Sequence, residues 1–439
     1  MRGDPVPLHE QVRSQRRAVL AGIVLGLLAI AAVAGHALVS PAPDWTREAI
    51  VMGRSSGALY VVAHRPDRLV PVTNLAAARL VLAALARGGA ASAGAGPAVP
   101  VPVDDAQLAA APRTPVADVP GAVAVLPEGP GIPPSWAVCD EYRVTGGSVA
   151  VTATVVVAGA HAGGDRDPAL FLAAPDGTEW VVLDGVRHRI PPRDTAVRTA
   201  LGLGAPRPAS AALASAFPEG PPLATPVIPA GPGPAAVPAD SGDVLVSQAA
   251  SGAQRYWVVL PSGIQEIPPL LADVLVAARG APPRPVGVDV ITAAPTVDGI
   301  DVTPWPATAP RIREPAETPV ACWAWSEQNR AGYAVTAGSV PAAPQGVRVE
   351  LAQADGSGPR VDAVLLPASG PGPVRADSAG GYWLVSAAGV AYPVADEDTA
   401  AALGISHATP APDAALRLLP TGPTLDLADA VHVVDVVHG

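Results

Sequence analysis

Four stretches of the chain repeat one order of apolar and polar positions. Each starts with glycine and places an aromatic residue in a short apolar run. A polar turn, an apolar residue followed by proline, and a stretch rich in alanine and leucine come next. Apolar runs around a polar turn predict a β-hairpin, and apolar residues at helical spacing predict a helix. A hairpin followed by one helix is therefore predicted over residues 57–83, 177–203, 252–278 and 380–405.

One aromatic residue marks each stretch and is expected in the core of that repeat. These residues are Tyr60, Trp180, Trp257 and Trp383. The intervals between them are long, short and long, with one cysteine in each long interval. A unit this small cannot bury a core alone. The spacing predicts an elongated α+β body with two tandem halves related by a pseudo-twofold axis, in which four repeats surround a shared central β-region.

An apolar run near the N-terminus predicts a membrane-spanning helix. Residues 18–39 contain no Asp, Glu, Lys or Arg, and about 20 apolar residues suffice to cross a bilayer. Because Arg13, Arg16 and Arg17 precede the run, the positive-inside rule places the N-terminus in the cytoplasm. A cleaved signal peptide is the alternative, with Ala32 to Ala34 as its cleavage site. In both cases the rest of the chain is expected outside the cytoplasm.

The chain has two cysteines, Cys139 and Cys322. An even pair in an oxidising compartment favours one disulfide. Neither cysteine has a histidine or a second cysteine at the spacing of a metal motif, which argues against a metal site. A pair of free buried thiols is the alternative.

Composition adds three constraints. Proline (53) and glycine (44) are frequent among the 439 residues, so the Pro-rich stretches near 88–135, 204–240 and 279–320 are predicted to be linkers or extended wrapping segments. All 28 basic residues are arginine, and the absence of lysine excludes a Walker lysine, a Schiff base and a Ser-Lys dyad. A net charge of -11 without a basic patch argues against nucleic-acid binding.

These patterns predict a division of the chain into ten parts. They are a cytoplasmic arm (1–17), a transmembrane helix (18–39), repeat 1 (40–87), a Pro-rich linker with the first part of the central domain (88–170), repeat 2 (171–205), a Pro-rich linker (206–240), repeat 3 (241–280), a linker with the second part of the central domain (281–370), repeat 4 (371–410) and a C-terminal segment (411–439).

Five blocks of residues, in this order, resemble one known family. They are Gly53 to Val62, Leu69 to Leu80 (with Pro71, Val72, Asn74, Leu75 and Arg79), Trp136 to Asp140, Cys322 to Trp325, and Leu418 to Asp426. In this arrangement the chain resembles EccB, a core membrane component of actinobacterial type VII (ESX) secretion systems. The resemblance extends from about Val12 to about Ala430.

The resemblance implies a structural core subunit that dimerises outside the membrane beside the other core membrane subunits. It also implies a plasma-membrane location with a single span. Three features depart from the family's pattern, one of them being connectors that are unusually rich in proline and alanine. Family members usually have a longer arm before the anchor, and they usually have histidine where this chain has Val70.

Three classes of function follow from the sequence: a scaffold subunit, a solitary envelope-binding module, and a membrane-anchored hydrolase, since family members are often described as ATPases. The chain has no G-x-x-x-x-G-K-[ST] motif. Gly53 to Gly57 matches G-x-S-x-G, but a strand rather than a helix is predicted after it. His432, Asp435 and His438 lie in the last eight residues and are interpreted as a frayed tail. We expect no catalytic residue, metal or cofactor, and favour the scaffold.

Overall fold

The computed structural model describes residues 18–31, 43–91, 97–117, 119, 134–159, 165–249, 251–341, 346–368, 370–378 and 380–430. The chain divides into two compact units. Unit 1 consists of Met1–Val119 together with Ala428–Gly439, and unit 2 consists of Pro120–Leu427.

The first helix, α1, covers residues 18–31 of the predicted membrane segment, and its side chains are exposed on all sides. Residues 32–39 of that segment lie outside the described residues. Within the described part of the chain, no helix combines the length and the apolar character that a bilayer crossing needs. The single span is therefore still a prediction.

Unit 1 contains the first repeat, whose four-stranded sheet has the order β3-β2-β1-β4. Strands β1 to β3 form an antiparallel meander, and β4 returns parallel to β1. The side chain of Asn74 accepts a hydrogen bond from the Ala77 amide at 2.9 Å and so caps α2. The elements are β1 (Ile50–Gly53), β2 (Leu59–Ala63), β3 (Arg68–Val72), α2 (Leu75–Arg87), β4 (Val101–Val103) and α3 (Asp105–Ala110), after a 3-10 turn at Trp45–Arg47.

Unit 2 contains three more repeats with the same element order and sheet topology. Repeat 2 consists of β8 (Leu170–Ala173), β9 (Glu179–Leu183), β10 (Val186–Ile190), α4 (Thr195–Ala200), β11 (Arg207–Pro208) and α5 (Ala211–Ala216). Repeat 3 consists of β12 (Val244–Gln248), β13 (Gln254–Leu260), β14 (Gly263–Ile267), α6 (Pro269–Arg279), β15 (Arg284–Pro285) and α7 (Val288–Ala293). Repeat 4 consists of β20 (Gly372–Ala376), β21 (Tyr382–Val385), β22 (Ala391–Val394), α8 (Glu397–Leu403), β23 (Thr409–Ala411) and α9 (Asp413–Leu416).

The unit predicted from the sequence is too small. Each repeat has a strand before the hairpin, and a strand and a short helix after the first helix. In repeats 1 to 3 these last two elements lie in segments predicted as linkers. The fourth strand has only two or three residues and contains proline, which is tolerated at a sheet edge because its missing amide can face away from the ladder.

The segment after each final helix returns to the third strand of its own sheet. Parallel bridges join Leu69 to Arg113 in repeat 1 and Ala391 to Thr421 in repeat 4, and equivalent bridges occur in repeats 2 and 3. These Pro-rich residues therefore wrap the sheet. They also cover a strand edge that would otherwise present unpaired amides.

A seven-stranded sheet in unit 2 has the order β18-β19-β6-β5-β16-β17-β7. The two halves of the chain meet where β5 pairs antiparallel with β16. The hairpin β5–β6 closes through Gly146 and Gly147, whose φ values of 58° and 84° suit a tight two-residue turn. The strands are β5 (Ser135–Thr145), β6 (Ser148–Ala158), β7 (Asp165–Arg166), β16 (Val320–Ser326), β17 (Asn329–Ala337), β18 (Gly346–Glu350) and β19 (Ala363–Pro367).

Both faces of this central sheet are buried. Repeats 2 and 4 pack on one face, in a core that includes Trp136, Trp323 and Trp325. The opposite face forms a smaller core that includes Cys139 and Cys322. Repeats 2 and 3 share a third core, in which α4 packs against α6.

Candidate functional site

The centre of unit 2 is the junction between β5 and β16. Cys139 and Cys322 are paired directly across these strands, with a Cα–Cα distance of 4.0 Å, and they form a disulfide. Both side chains are fully buried. This is the pair that the sequence analysis expects, and it joins positions 183 residues apart.

Asp140, the next residue of β5, is fully buried and lies at the contact with repeat 2. Its Oδ2 accepts a hydrogen bond from the Ser210 amide at 2.7 Å. Its Oδ1 accepts one from the Ser210 hydroxyl at 2.7 Å and one from the Thr154 hydroxyl at 2.9 Å. The Ser210 hydroxyl also accepts from the Leu213 amide at 3.0 Å, which makes Ser210 the N-cap of α5. Asp140 therefore fixes the first turn of α5 to the central sheet.

Arg207 of β11 is a second buried charged residue at this contact. Its Nη1 donates to the Thr318 carbonyl, and its Nη2 donates to the Arg313 carbonyl, both at 3.1 Å. The guanidinium also lies 4.8 Å from the ring centroid of Tyr142. These contacts join repeat 2 to the segment that leads into β16.

Asp362 extends this polar network into the second half of the chain. Its Oδ2 accepts from the Thr154 amide at 2.7 Å. Its Oδ1 accepts from the amides of Asp355 and Gly356 at 2.7 and 2.6 Å. Thr154 therefore contacts both buried carboxylates, one from each half of the chain.

Burial governs the protonation of this cluster. Desolvation raises the pKa of Asp140 to about 6, although hydrogen bonds from Ser210 and Thr154 favour the ionised form. Burial likewise raises the pKa of Tyr142. A buried carboxylate can be retained because it has converging donors, and losing one of them would leave a charge without compensation.

The aromatic markers lie on equivalent faces of the four repeats. Tyr60 packs with Leu108 of α3 in repeat 1, and Trp180 packs with Leu213 of α5 in repeat 2. Trp257 lies in the core of repeat 3 that faces away from α6, and Trp383 packs against the large core of the central sheet. In repeats 1 to 3 an arginine covers the marker ring, with 4.4 to 5.3 Å between guanidinium and centroid.

The motif residues fall into two separate groups. Pro71 and Val72 end β3, Asn74 caps α2, Leu75 begins that helix, and the Nε of Arg79 donates to the Ala98 carbonyl at 3.3 Å. These residues belong to unit 1. Trp136 and Asp140 lie on β5 in unit 2. Sequence reasoning missed Ser210, Arg207, Thr154 and Asp362, and only Ser210 had a local signal, as a serine directly before an alanine-rich run.

Comparison with known proteins finds one family over nearly the whole chain. The family model described as the type VII secretion system ESX-1 transport TM domain B, EccB, matches residues 1–438. The chain belongs to the EccB family. A relative named ESX-5 secretion system ATPase EccB5, from Mycobacterium tuberculosis, is 35% identical over 96% of this chain and 87% of its own length. The ESX-3 secretion system ATPase EccB3 of Mycolicibacterium smegmatis is 32% identical over 98% of this chain and 86% of its own.

Solved structures from ESX secretion complexes contain chains with the same fold. A chain from an intact ESX-5 inner membrane complex matches with a TM-score of 0.73 and 33% identity, covering 97% of this chain and 90% of that one. A chain from an EccB3 dimer of the ESX-3 core complex matches with a TM-score of 0.71 and 29% identity, covering 87% and 99%.

In this EccB-family chain, the G-x-S-x-G match lies in the turn between β1 and β2. Asp105, in the first turn of α3, accepts hydrogen bonds from the Ser55 amide at 2.7 Å and the Ser56 hydroxyl at 2.5 Å. A strand follows the turn, as the sequence predicts, so the geometry is not that of a nucleophile elbow. Repeat 4 has an equivalent clamp, in which Asp413 accepts from the amide and the hydroxyl of Ser378 at 3.0 and 2.6 Å.

One polar groove, of about 510 Å³, lies beside the turn of repeat 4 in this EccB-family chain. It is lined by Arg330 and Arg375 among others. Arg330 pairs with Asp377 at 2.6 Å, and the Nε of Arg375 donates to the Gly380 carbonyl at 3.1 Å. Both guanidinium groups therefore have partners inside the protein.

The described residues contain no group of three or more His, Cys, Asp or Glu side chains that could hold a metal ion. His432, Asp435 and His438 lie outside the described residues, so their interpretation as a frayed tail is still a prediction.

Proposed function

We propose that this chain is a structural core subunit of an actinobacterial type VII secretion complex and acts by assembly with other subunits. Membership of the EccB family supports this proposal, because relatives occur in solved ESX inner membrane complexes. The observation that carries it is the junction of β5 and β16, where the centre of unit 2 holds a disulfide and a buried hydrogen-bond network around Asp140. Such a centre fixes the relative positions of repeats within unit 2, as a scaffold requires.

The proposal includes a single membrane anchor at residues 18–39, an N-terminus in the cytoplasm and a body outside the membrane. The uncharged run after three arginines supports this topology. It also includes a homodimer, which is supported by the solved EccB3 dimer of a relative and by the general prevalence of twofold assemblies. The other partners are the remaining core membrane subunits of the secretion machine.

Deletion of the whole first repeat tests this function. The deletion should cover residues 50–117, because removing only 57–83 would leave β1 and β4 while removing β2, β3 and most of α2. We expect the remainder to reach the envelope with its Cys139–Cys322 disulfide formed, while the large membrane complex is no longer recovered. Disulfide formation is the control for folding of unit 2.

The opposite result would favour a different function. If the deleted protein carries its disulfide and both the complex and protein export persist, the scaffold proposal fails. The solitary envelope-binding module would then be the better hypothesis.

ATP hydrolysis is a second candidate function, because relatives are named ATPases. The absence of lysine from the whole chain leaves no residue for the Walker lysine of a P-loop. We therefore assign the scaffold role first and treat hydrolysis as a question for direct measurement.

A further inference from the structure

The carboxylate of Asp140 is enclosed at the contact between α5 and the central sheet. It accepts three hydrogen bonds from serine and threonine, two from Ser210 on α5 and one from Thr154 on β6. Separation of α5 from β5 would break two of these three bonds and admit water to the carboxylate.

Charged and titratable groups surround Asp140 without forming a direct ion pair with it. Tyr142 lies on the same strand, and Arg207 approaches from β11, with Glu314 beyond it. The Nη atoms of Arg207 are bound to Thr318 and Arg313. Asp362 lies on the far side of Thr154. Among the described residues no cation lies within ion-pair distance of Asp140, so its negative charge is stabilised mainly by hydrogen bonds.

Two states of this contact differ in their affinity for a proton. When α5 is docked, burial disfavours the charged carboxylate and raises the pKa of Asp140 to about 6. When α5 is separated and Asp140 is hydrated, the carboxyl has the ordinary acidity of an aspartic acid, with a pKa of about 3.9. The docked state therefore binds the proton more tightly.

We propose that Asp140 links the docking of repeat 2 to proton binding, so that α5 is held on β5 more firmly in mildly acidic than in neutral surroundings. This device is independent of the proposed scaffold function. It would let the pH of the surroundings change how often this contact opens.

The sign follows from linkage. A group whose pKa is higher in the docked state adds stability that is complete below pH 4 and is lost as the pH rises through 6. For pKa values of about 3.9 and 6, the equilibrium constant for opening should increase about tenfold between pH 5 and pH 7.

Hydrogen exchange of the full-length protein in detergent tests this proposal. Protection of amides in residues 207–217 should be compared at pH 5 and pH 7, after correction for the intrinsic pH dependence of amide exchange. Amides of α6 in repeat 3 serve as an internal reference, because α6 does not contact Asp140. We expect protection of α5 to fall about tenfold from pH 5 to pH 7, relative to α6.

Two variants isolate the carboxylate. Asp140→Asn should reduce the change to within about twofold, because the amide does not titrate. Asp194→Asn is the matched control, since Asp194 binds the amide and the hydroxyl of Thr225 at 2.7 Å in the same way, away from β5. This control should keep the tenfold change.

The proposal is overturned if wild-type α5 is protected no better at pH 5 than at pH 7. It is also overturned if Asp140→Asn keeps the full pH dependence. Should Asp140→Asn fail to fold, a wild-type α5 that shows no loss of protection relative to α6 from pH 5 to pH 7 still overturns the proposal.

Discussion

Cys139 and Asp140 are neighbours on β5 and serve opposite faces of the central sheet. The sulfur of Cys139 reaches Cys322 on the smaller core, whereas the carboxylate of Asp140 binds Ser210 at the contact with repeat 2. Successive side chains of a strand point to opposite faces. Cys139 can therefore join the two halves of the chain, while Asp140 joins the central sheet to repeat 2. The two connections are therefore expected to respond separately to mutation.

Removal of the disulfide should destabilise the protein without changing its fold. A Cys139→Ala/Cys322→Ala double variant loses the constraint on a loop of 183 residues, which the chain-entropy model values at up to about 5 kcal/mol. The ladder between β5 and β16 should keep the native pairing. Urea unfolding followed by tryptophan fluorescence should show a lower midpoint than wild type.

The control for this prediction is the wild-type protein unfolded in the presence of reductant, which should approach the midpoint of the double variant. An unchanged midpoint in the double variant would show that the disulfide adds no stability. Loss of the folded baseline would instead show that pairing of the halves depends on it.

Replacing Arg207 should lower the free energy of unfolding more than replacing a surface arginine of the adjoining segment. Arg207→Met leaves the carbonyls of Thr318 and Arg313 without their buried donors, so we expect a loss of about 2–4 kcal/mol in unfolding free energy. Arg311→Met is the matched control. Arg311 is 72% exposed and pairs with Glu317, so its loss should be about 0.5 kcal/mol or less. Equal losses in denaturant titrations would contradict the assignment.

The sequence predicts the hairpins and first helices because their signals are local. Trp180 and Trp257 stand in apolar runs next to polar turns, and Asn74 precedes an apolar helical stretch. The fourth strands could not be predicted, because a pair such as Arg207-Pro208 has no periodicity and proline argues against a strand. The Arg207-Pro208 strand pairs in parallel with β8, and the chain returns to β8 only after the crossover helix.

The hydrogen-bond network around Asp140 was only partly predictable, because its members are also far apart in the sequence. Asp140 belongs to a sequence motif, but its partner Ser210 lies 70 residues away, and Thr154 is bonded to Asp362 across 208 residues. A sequence shows polar residues without showing which of them are buried together. The Cys139–Cys322 pair was accessible because the chain has only two cysteines.

The turn clamps of repeats 1 and 4 should give a pH-dependent contribution to stability. Hydrogen bonds from Ser378 outweigh the effect of burial and lower the pKa of Asp413, and hydrogen bonds from Ser56 and Ser55 lower that of Asp105. A lowered pKa in the folded state adds stability above the ordinary pKa of about 3.9, and this stability is lost as the pH falls below it. Asp105→Asn and Asp413→Asn should therefore lower the melting temperature at pH 7 and have less effect at pH 3.

Asp289 is the matched control for the clamps. It also lies in the first turn of a final helix, α7, and so experiences a similar helix dipole. Asp289→Asn should change the melting temperature at pH 7 less than either clamp variant does. If all three variants behave alike, the serine contacts are not the source of the effect.

ATP hydrolysis at a rate useful for transport is not expected of the purified protein. Relatives carry the name ATPase, yet this chain has no lysine for a phosphate-binding loop. Arginine can bind phosphate, and the groove lined by Arg330 and Arg375 is the place where such binding should be tested. Phosphate release by repurified protein should stay below about 1 per second, the lower end of ordinary enzyme turnover.

An Arg330→Ala/Arg375→Ala variant shows whether any residual phosphate release comes from a contaminating enzyme or from the protein itself. A contaminating enzyme would give equal rates in wild type and variant. A wild-type rate above about 1 per second that the variant loses, while its Cys139–Cys322 disulfide and its melting temperature are kept, would establish that the protein itself hydrolyses ATP.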